Sequence, residues 1–521
     1  MHRRVVVVAW LVVLTSALLA VVMGHPAARA ASAASATRPN VVVLMTDDQT
    51  FDDLSGMPRT RRALGRAGTT FERSFVSYPL CCPSRATFLT GAYAHNHRVF
   101  GNKPPIGGVG RLDATRTLPV ALQRAGYATT HIGKYLNGYG SVLPATIPPG
   151  WTDWHGAVDP TTYRMWGYTL LENGMLQTYG SFGVEDPALY QTDVYRQKAI
   201  DAIKAYGAAR QPFFLSVAFL APHMEQPNPN GIPVRPAPRH RGRLAGRLLR
   251  FGPAFNEGDV SDKPRAVRRL PALSVAQRLR IDRDIHARRE SLIAVDEAVQ
   301  AIVQALRETG QLDHTYLLFT SDNGYLEGEH RIRIGKFYAY DAATHVPLLM
   351  RGPGIRGGGR SYEVVSNIDL APTIFEITGA RPLMPQDGRS LLPFARDPSL
   401  QTERPILHEG LQSSPDGDND RDGTDIRGVP LGRSDYYAVR TARYLYVEHG
   451  DGSKEFYDLE RDPFELDSRP DDKRYADVRR ALGRILPILR VCRGASCLKE
   501  RPLEKYAARK PPRDARRVGA S

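Results

Sequence analysis

Two uninterrupted apolar segments, each followed directly by acidic or amide side chains, constrain the fold of this chain more than any other feature. Residues 41–45 (VVVLM) precede Thr46-Asp47-Asp48, and residues 315–320 (TYLLFT) precede Ser321-Asp322-Asn323. Continuous apolar runs of this length are typical of parallel strands that are buried on both faces. In open α/β sheets, ligands bind beyond the carboxyl ends of such strands. The sequence therefore predicts an α/β protein with a mostly parallel central sheet flanked by helices.

The polar residues at these two strand ends offer only oxygen ligands. Asp47, Asp48, Asp322 and Asn323 combine three carboxylates with one amide oxygen. Such a set suits a hard cation such as Ca²⁺ better than Zn²⁺. An isolated Asp-Asp pair is more often a turn or a helix cap, but here the pattern recurs at a second strand end. We therefore predict one site for a hard divalent cation such as Ca²⁺.

Residues 77–91 (SYPLCCPSRATFLTG) predict a short helix with a nucleophile candidate at its start. Pro83 suits the first helical position and Gly91 suits the exit, so Cys81 is expected just outside the helix N-terminus. The free backbone N–H groups at this end favour a bound anion, and Arg85 adds a charged fork of donors. This arrangement indicates a polar, anionic substrate.

The order Cys81-x-Pro83-Ser84-Arg85, followed by Leu89-Thr90-Gly91, resembles the signature of type I sulfatases. The resemblance implies an alkaline phosphatase-like fold and hydrolysis of a sulfate ester. It further implies that a formylglycine-generating enzyme oxidises Cys81 to formylglycine, which acts as the nucleophile. The alternative is a pair of small buried thiols at a helix start. The metal ligands that the resemblance implies are Asp47, Asp48, Cys81, Asp322 and Asn323.

Three further residues are expected to act on the sulfate group or on the leaving alcohol. The resemblance places Lys134 on the sulfate, and Lys336 beside His223, where it would bridge the sulfate and the leaving oxygen. His223 follows the apolar run 212–219, and a histidine just past a strand end is a good general acid candidate. Considered without their neighbours, His223 would be an ordinary loop histidine and Lys336 a surface lysine. Leu136 stands where many arylsulfatases have a histidine, which leaves the base for the formylglycine hydrate open.

Two other segments resemble the branch that contains N-acetylglucosamine-6-sulfatases and extracellular heparan sulfatases. They are His95-Asn96-His97 and residues 256–264. The resemblance implies a sulfated carbohydrate such as N-acetylglucosamine 6-sulfate, or a small aryl sulfate, as substrate. By chemistry alone the two histidines are more often loop residues than ligands. Four aromatic residues either stack on sugar faces or, as is commoner, pack in the interior: Trp154, Tyr163, Trp166 and Tyr168.

The N-terminus predicts export. Basic residues precede an apolar run over residues 5–23, and Ala28-Arg29-Ala30 follows. This is typical of a signal peptide cleaved after Ala30, although the run is also long enough for an uncleaved anchor. We therefore expect a secreted or extracytoplasmic protein that contacts a membrane only if this segment is retained. Outside the cell, Cys492 and Cys497 are expected to close a small disulfide loop, the alternative being two exposed thiols.

The net charge of +15 is concentrated in two places. One is the arginine-rich segment 235–250, and the other is the basic run 499–517. Long-range attraction of a sulfated polysaccharide is one interpretation, and a solvated loop and tail is the other. Nucleic acid is not expected as a partner, because the protein is exported and no groove-reading motif is present.

The sequence divides into four parts. Residues 1–30 are the signal peptide and residues 38–404 the predicted catalytic domain, which includes a long amphipathic helix over residues 292–306 with Gly310 past its end. From residue 405 to 490, short alternating strands predict a C-terminal subdomain with a small antiparallel sheet. A polar stretch over 412–425 is expected to be a loop, and residues 491–521 form a basic tail.

Two other functions are compatible with the same residues. Phosphonate or phosphodiester hydrolases share the Cys-x-Pro-Ser-Arg motif and the metal site, so the ester specificity distinguishes them from a sulfatase. A non-catalytic protein that binds sulfated glycans would use the basic segments and an unconverted Cys81. Product release distinguishes this binder from an enzyme.

Overall fold

The computed structural model describes residues 38–141, 145–226, 233–249, 251–411 and 435–503. The predicted signal peptide or anchor, the polar stretch 412–425 and the tail beyond residue 503 lie outside the described residues. The described strands form a ten-stranded sheet and a four-stranded sheet. Their bounds are β1 Asn40–Asp47, β2 Thr69–Phe75, β3 Ala128–Gly133, β4 Asp153–Ala157, β5 Tyr168–Glu172, β6 Met175–Tyr179, β7 Phe213–Pro222, β8 Thr315–Ser321, β9 Leu348–Arg351, β10 Gly359–Ser366, β11 Ile406–Gly410, β12 Tyr436–Arg440, β13 Tyr444–His449 and β14 Lys454–Asp458.

The helices vary from single turns to one of 34 residues. The longest, α7, begins at a capping box formed by Ser274 and Gln277, and its apolar face confirms the amphipathic helix predicted from the sequence. The bounds are α1 Pro58–Thr60, α2 Cys81–Thr90, α3 Ala94–His97, α4 Leu118–Arg124, α5 Gln191–Ala209, α6 Arg265–Arg268, α7 Val275–Glu308, α8 Asp341–Thr344, α9 Leu370–Thr378, α10 Leu392–Arg396 and α11 Ala476–Leu489.

The large sheet has the order β10-β2-β9-β8-β1-β7-β3-β4-β5-β6. Its central strands β8, β1, β7, β3 and β4 are mutually parallel, whereas β9 and β5 run antiparallel to their neighbours. Thr46 pairs with Ser321 of β8, and Asp47 pairs with Pro222 of β7. The predicted α/β class is confirmed, and the register brings the carboxyl ends of the central strands to one level.

Helices cover both faces of this sheet. Val41, Val43 and Met45 of β1 pack in one apolar cluster with α2, α4 and α9, whereas Val42 and Leu44 pack in a second with α5 and α7. Every residue of β1 is buried. Because side chains alternate between the two faces of a strand, a continuous apolar run is stable only between two covering layers. Full burial of each such side chain contributes about 1.5–3 kcal/mol.

Helix α2 starts earlier than the sequence predicts. It begins at Cys81, so Pro83 is the third helical residue and not the first, and the predicted position of Cys81 outside the helix is wrong. The N–H of Ser84 donates to the carbonyl oxygen of Leu80 at 3.0 Å. Because earlier N–H groups have no intrahelical partner, proline is tolerated throughout this first turn. Gly91 ends the helix with a left-handed φ of 69°, as predicted.

The four-stranded sheet is antiparallel in the order β11-β12-β13-β14, which confirms the predicted small C-terminal sheet. Helix α11 packs on one face, and the other face packs against Phe337 and Tyr340. Beyond α11, Cys492 and Cys497 form a disulfide with their Cα atoms 5.1 Å apart. The division into domains at residue 405 stays a prediction. Over the described residues, no helix is both long enough and apolar enough to cross a bilayer.

Candidate active site

Four neighbouring strands deliver polar residues to one edge of the large sheet. Strands β3, β7, β1 and β8 are adjacent and parallel, and each is followed at its carboxyl end by a buried charged or amide side chain. Loops and α2 add further residues to the same place. The assembled set contains every catalytic and metal-ligating residue predicted from the sequence: Asp47, Asp48, Cys81, Arg85, Lys134, His223, Asp322, Asn323 and Lys336.

Cys81 lies at the centre of this set and is fully buried. Its Sγ is 2.9 Å from Nζ of Lys336 and 3.5 Å from Oδ1 of Asp47. Burial raises the pKa of the thiol well above its ordinary value, and Asp47 raises it further against the opposing effect of the lysines. Because the thiolate is the reactive form, the unmodified Cys81 is a poor nucleophile at neutral pH.

Asp47 is the anionic centre of the site. Its Oδ2 is 2.5 Å from Nζ of Lys134 and 3.4 Å from Nη2 of Arg85. Burial opposes its ionisation, but the charges of Lys134, His223, Arg85 and Lys336 together hold its pKa below the ordinary range. Asp47 is therefore ionised at neutral pH.

Asp48 has an unusual backbone conformation that directs its carboxylate into the site. Its φ is 67°, a left-handed value that costs a non-glycine residue roughly 1–2 kcal/mol. Its N–H donates to Oδ1 of Asp322 at 3.1 Å. Its Oδ1 accepts hydrogen bonds from Nδ2 of Asn323 and Nζ of Lys336, both at 2.6 Å. These contacts hold the strained turn in place.

Arg85 connects α2 to two strand ends. Its Nε donates to Oδ2 of Asp322 at 2.8 Å, and its Nη1 donates to the carbonyl oxygen of Lys134 at 2.8 Å. Ser84 donates to the carbonyl oxygen of Asp322 and accepts a hydrogen bond from Nδ2 of Asn367 at 2.9 Å. The motif residues after Cys81 thus fix the helix relative to the sheet.

The oxygen atoms at this edge fit a hard divalent cation. Ligand atoms of Asp47, Asp48 and Asp322 lie within 4.8 Å of one another, and all three side chains are buried. Oδ1 of Asn323 is also buried and has no hydrogen-bond partner in the described part of the chain. A buried amide oxygen without a donor is costly unless a ligand satisfies it. This donor set, which is all oxygen apart from Cys81, is the type that Ca²⁺ prefers.

His223 and Lys134 both contact the same aromatic ring. Nζ of Lys134 is 4.7 Å from the centre of the Tyr163 ring, and the His223 and Tyr163 ring centres are 5.0 Å apart. The Nδ1 atom of His223 donates to the carbonyl oxygen of Met224 at 2.7 Å, which directs Nε2 towards Asp48, 3.7 Å away. Protonated His223 therefore presents an acidic N–H beside the candidate metal ligand Asp48.

The aromatic and arginine-rich segments are mostly structural. Trp154, Tyr163, Trp166 and Tyr168 are all buried, as expected for packing aromatics. In the arginine-rich segment, three arginines form ion pairs, and residues 241–249 are mostly exposed, as the solvated-loop interpretation expects. Those pairs are Arg235 with Glu225, Arg239 with Asp193 and Arg241 with Glu185.

The His-Asn-His motif forms α3 and connects it to the C-terminal part. His95 is 2.9 Å from Oε1 of Glu409 through Nδ1 and 2.9 Å from the carbonyl oxygen of Cys492 through Nε2. Nδ2 of Asn96 donates to Oδ2 of Asp387 and to the same Cys492 oxygen, each at 2.8 Å. The motif thus holds the segment after α2 against the disulfide loop.

Replacing His95 by alanine is expected to destabilise the protein more at low pH than at high pH. Burial opposes protonation of His95, but the hydrogen bond and charge of Glu409 raise its pKa above the ordinary value. The stabilisation is therefore complete below the unfolded-state pKa and is lost as pH rises through the folded-state pKa. We expect the free energy of unfolding to fall by about 1.5–3 kcal/mol near pH 5.5 and by less near pH 9.

Urea denaturation at the two pH values measures this difference. The exposed His314, replaced by alanine, is the matched control and should change the free energy of unfolding little at either pH. An equal loss at both pH values for the His95 variant would contradict the role of its charge.

Arg288 and Asn367 contact the site residues but were not found from the sequence. Arg288 of α7 donates to the carbonyl oxygens of Asp48 and Pro222. Asn367 donates to the hydroxyl of Ser84 and accepts the N–H of Ser77. Arg288 is one of several arginines in its helix, and Asn367 lies near a helix start, where asparagine is common. Neither residue type nor spacing distinguished them.

The site residues and the strands that position them lie within a region that matches a known protein family. The family model described as "Sulfatase" matches residues 39–380. The chain belongs to the sulfatase family. This sulfatase is 33% identical to an arylsulfatase of Volvox carteri over 504 residues, covering 89% of this chain and 76% of the relative. It is 35% identical to the human N-acetylglucosamine-6-sulfatase over 402 residues, covering 74% of this chain and 70% of the relative.

Other matches extend this picture. A solved structure of a protein bound to its substrate, D-glucosamine-2-N,6-O-disulfate, superposes with a TM-score of 0.70 at 22% identity, covering 86% of this chain and 97% of that chain. The sulfatase also matches a putative extracellular sulfatase of Caenorhabditis elegans at 35% identity over 68% of this chain, but spans only 48% of that relative. The type I sulfatase resemblance, the alkaline phosphatase-like fold and the class of sulfuric ester hydrolase are confirmed.

Proposed function

We propose that this sulfatase removes the sulfate group of a sulfated sugar such as N-acetylglucosamine 6-sulfate. Hydrolysis of sulfate esters follows from the family, and similarity to N-acetylglucosamine-6-sulfatases supports a sugar substrate. The proposal includes a formylglycine formed from Cys81 and a calcium ion. The observation on which it rests is the convergence of three buried carboxylates and three buried cations around the side chain of Cys81.

The charges at the site support an anionic substrate and a divalent cation. Asp47, Asp48 and Asp322 are offset by Arg85, Lys134 and Lys336, so the protein groups alone are close to neutral. A divalent cation adds two positive charges. The sulfate group of the substrate and an ionised nucleophilic oxygen add two negative charges, which restores the balance in a site from which water is largely excluded.

The metal would be held by Asp47, Asp48, Asp322 and Asn323, together with the modified side chain of Cys81. When bound, it supplies positive charge that favours the ionised form of a neighbouring hydroxyl. The hydrated formylglycine would supply one hydroxyl that attacks sulfur and displaces the alcohol, and a second hydroxyl whose ionisation releases sulfate and restores the aldehyde. A cysteine thiol has no second hydroxyl, so it would not turn over.

The lysines and the histidine have separate tasks in this proposal. Lys134 and Lys336 contact Asp47 and Asp48 through charged ammonium groups, and they would also bind the sulfate oxygens as charge accumulates there. Nε2 of protonated His223 would donate a proton to the leaving alcohol oxygen. Arg85 holds two of the carboxylates in the orientation that the site requires.

The burial of Cys81 determines when it can be modified. Its side chain is inaccessible to solvent at the start of α2, beneath the loop that contains Lys336. A formylglycine-generating enzyme would therefore have to act before the chain folds. We propose that maturation accompanies export, and that the mature protein is secreted or extracytoplasmic, as the N-terminal pattern and the similarity to extracellular sulfatases suggest.

Replacing His223 by alanine is expected to slow the hydrolysis of esters with poor leaving groups more than that of esters with good ones. A sugar hydroxyl needs a proton as it departs, whereas 4-nitrophenolate leaves readily without one. We expect kcat/KM to fall by about 10²–10⁴-fold for N-acetylglucosamine 6-sulfate, with a much smaller loss for 4-nitrophenyl sulfate. Steady-state kinetics with the two esters measure the difference, and equal losses would exclude His223 as the general acid.

A comparison of ester types tests the overall function. Purified protein, made in a host that installs formylglycine, is assayed with 4-nitrophenyl sulfate, a phenylphosphonate monoester and a phosphodiester. We expect the highest kcat/KM with the sulfate. Faster hydrolysis of the phosphonate or phosphodiester would favour the related hydrolase function, and retention of sulfated glycans without release of sulfate would favour a binding protein.

A further inference from the structure

Arg288 makes an unusual set of contacts beneath the site. It belongs to α7, its side chain is 2% exposed, and its Nη2 donates to the carbonyl oxygen of Asp48 at 2.6 Å. Its Nη1 donates to the carbonyl oxygen of Pro222 at 3.1 Å, and its Nε is 2.6 Å from Oε1 of Glu327. The guanidinium also lies 4.5 Å from the centre of the Tyr325 ring. One planar group thus connects the carboxyl ends of β1 and β7 to the segment that contains Glu327.

These contacts are close to two groups whose relative position matters for the reaction. Asp48 is a proposed metal ligand in a left-handed backbone conformation, and the Pro222 carbonyl belongs to the peptide that leads into His223. Oδ2 of Asp48 and Nε2 of His223 are 3.7 Å apart. Since the donors of a guanidinium have a fixed planar geometry, the two carbonyl oxygens are held at a fixed separation.

We propose that Arg288 is a positioning residue that sets the distance between Asp48 and His223 and so directs the proton of His223 towards the leaving oxygen. The inference rests on the proposed function, because it assumes that His223 is the general acid. Glu327 and Tyr325 hold the guanidinium from the other side, so that its orientation is determined by packing as well as by its hydrogen bonds.

A purely structural role is the alternative explanation. Arg288 is buried and charged, and removing any buried partner of an ion pair lowers stability. A structural role predicts that the activity towards every substrate falls by the same factor, because only the fraction of folded enzyme changes. A positioning role predicts that the loss depends on how much the leaving group needs a proton.

The decisive experiment compares leaving groups in the full-length, formylglycine-containing enzyme. Arg288→Lys keeps the charge, but its ammonium lacks the fork that bonds both carbonyl oxygens and Glu327 together. Arg288→Met removes the charge. The matched control is Arg289→Lys at the adjacent position of the same helix. The Nε atom of Arg289 pairs with Asp53 at 3.1 Å, whereas the Asp48 and Pro222 carbonyl oxygens are bonded by Arg288.

For Arg288→Lys we expect kcat/KM to fall about 100-fold with N-acetylglucosamine 6-sulfate and less than about 10-fold with 4-nitrophenyl sulfate. Calcium titration calorimetry on the same proteins should show about 10-fold weaker binding, because the Asp48 turn is less fixed. Arg289→Lys should match the wild type in both assays. If Arg288→Met does not fold, the lysine variant alone decides the outcome.

Three results would count against these ideas in different ways. Equal losses on the two esters, or no loss, in Arg288→Lys would overturn the positioning role. The same leaving-group dependence in Arg289→Lys would overturn it too, because that residue does not bond the two carbonyls. A wild-type enzyme that hydrolyses neither sulfate ester would instead overturn the proposed function.

Discussion

Replacing Cys81 by alanine is expected to abolish hydrolysis of every sulfate ester, with kcat lowered by more than roughly 10⁴-fold. The reason is chemical, because alanine has no group that can be converted to an aldehyde hydrate. The surrounding structure should be preserved, since the backbone of α2 is held by Arg85, Ser84 and the Leu80 carbonyl, and not by the sulfur. Release of inorganic sulfate, measured by ion chromatography, gives the rate.

Two companion variants make the result specific. Cys82→Ala removes the neighbouring buried thiol and should retain activity within a few-fold, because the Cys82 contact to Asn102 uses the backbone N–H. Cys81→Ser supplies a single hydroxyl that can attack sulfur and displace the alcohol but has no second hydroxyl to expel sulfate. We expect it to stop after one turnover, with a sulfo group detectable on the peptide by mass spectrometry. Undiminished turnover by Cys81→Ala would disprove that the nucleophile is formed from Cys81.

Replacing Asp322 by asparagine is expected to remove the metal and to lower kcat/KM by roughly 10³-fold, equivalent to about 4 kcal/mol. Asp322 accepts the N–H of Asp48 through Oδ1 and the Nε of Arg85 through Oδ2. An asparagine retains only one acceptor oxygen and loses the negative charge that attracts both Arg85 and a cation. Metal content, measured by elemental analysis after gel filtration, should fall from one ion per chain towards zero.

The control for this variant is a buried carboxylate remote from the site. Asp296 of α7 accepts the N–H groups of Arg59 and Thr60 and is 1% exposed. Asp296→Asn should lower the melting temperature while leaving the metal content unchanged. Chelation of wild-type enzyme followed by addition of calcium should abolish and then restore turnover. One metal ion per chain in Asp322→Asn, with full activity, would exclude Asp322 as a ligand.

The agreement between sequence and structure is greatest where a single local rule applies. The apolar runs of β1 and β8 predicted buried parallel strands, because only a strand covered on both faces has no polar positions. The strand ends then placed Asp47 and Asp322 at the same edge of the sheet. The start of α2 was predicted two residues late because several positions in a first turn tolerate proline equally.

Agreement is weakest where residues act through partners distant in the chain. The arginine-rich segment has the composition of a loop, yet Arg235, Arg239 and Arg241 pair with acids from three other segments. His95 and Asn96 belong to a motif with no evident chemistry of its own, and their partner is the carbonyl oxygen of Cys492, almost 400 residues later. Composition and spacing contain no information about such pairs.

The sequence by itself determined the chemistry available at this site: a cysteine at the start of the motif, an arginine one turn later, and a set of acids, lysines and a histidine that follow apolar strands. Tertiary structure alone decided how these groups are arranged, including the 2.9 Å contact of Lys336 with Cys81, the left-handed turn at Asp48 and the strand ends connected by Arg288. The physical reason is that residue types and strand patterns are local properties of a chain. Distances between buried charges, in contrast, depend on the register of the sheet and on the packing of helices around it.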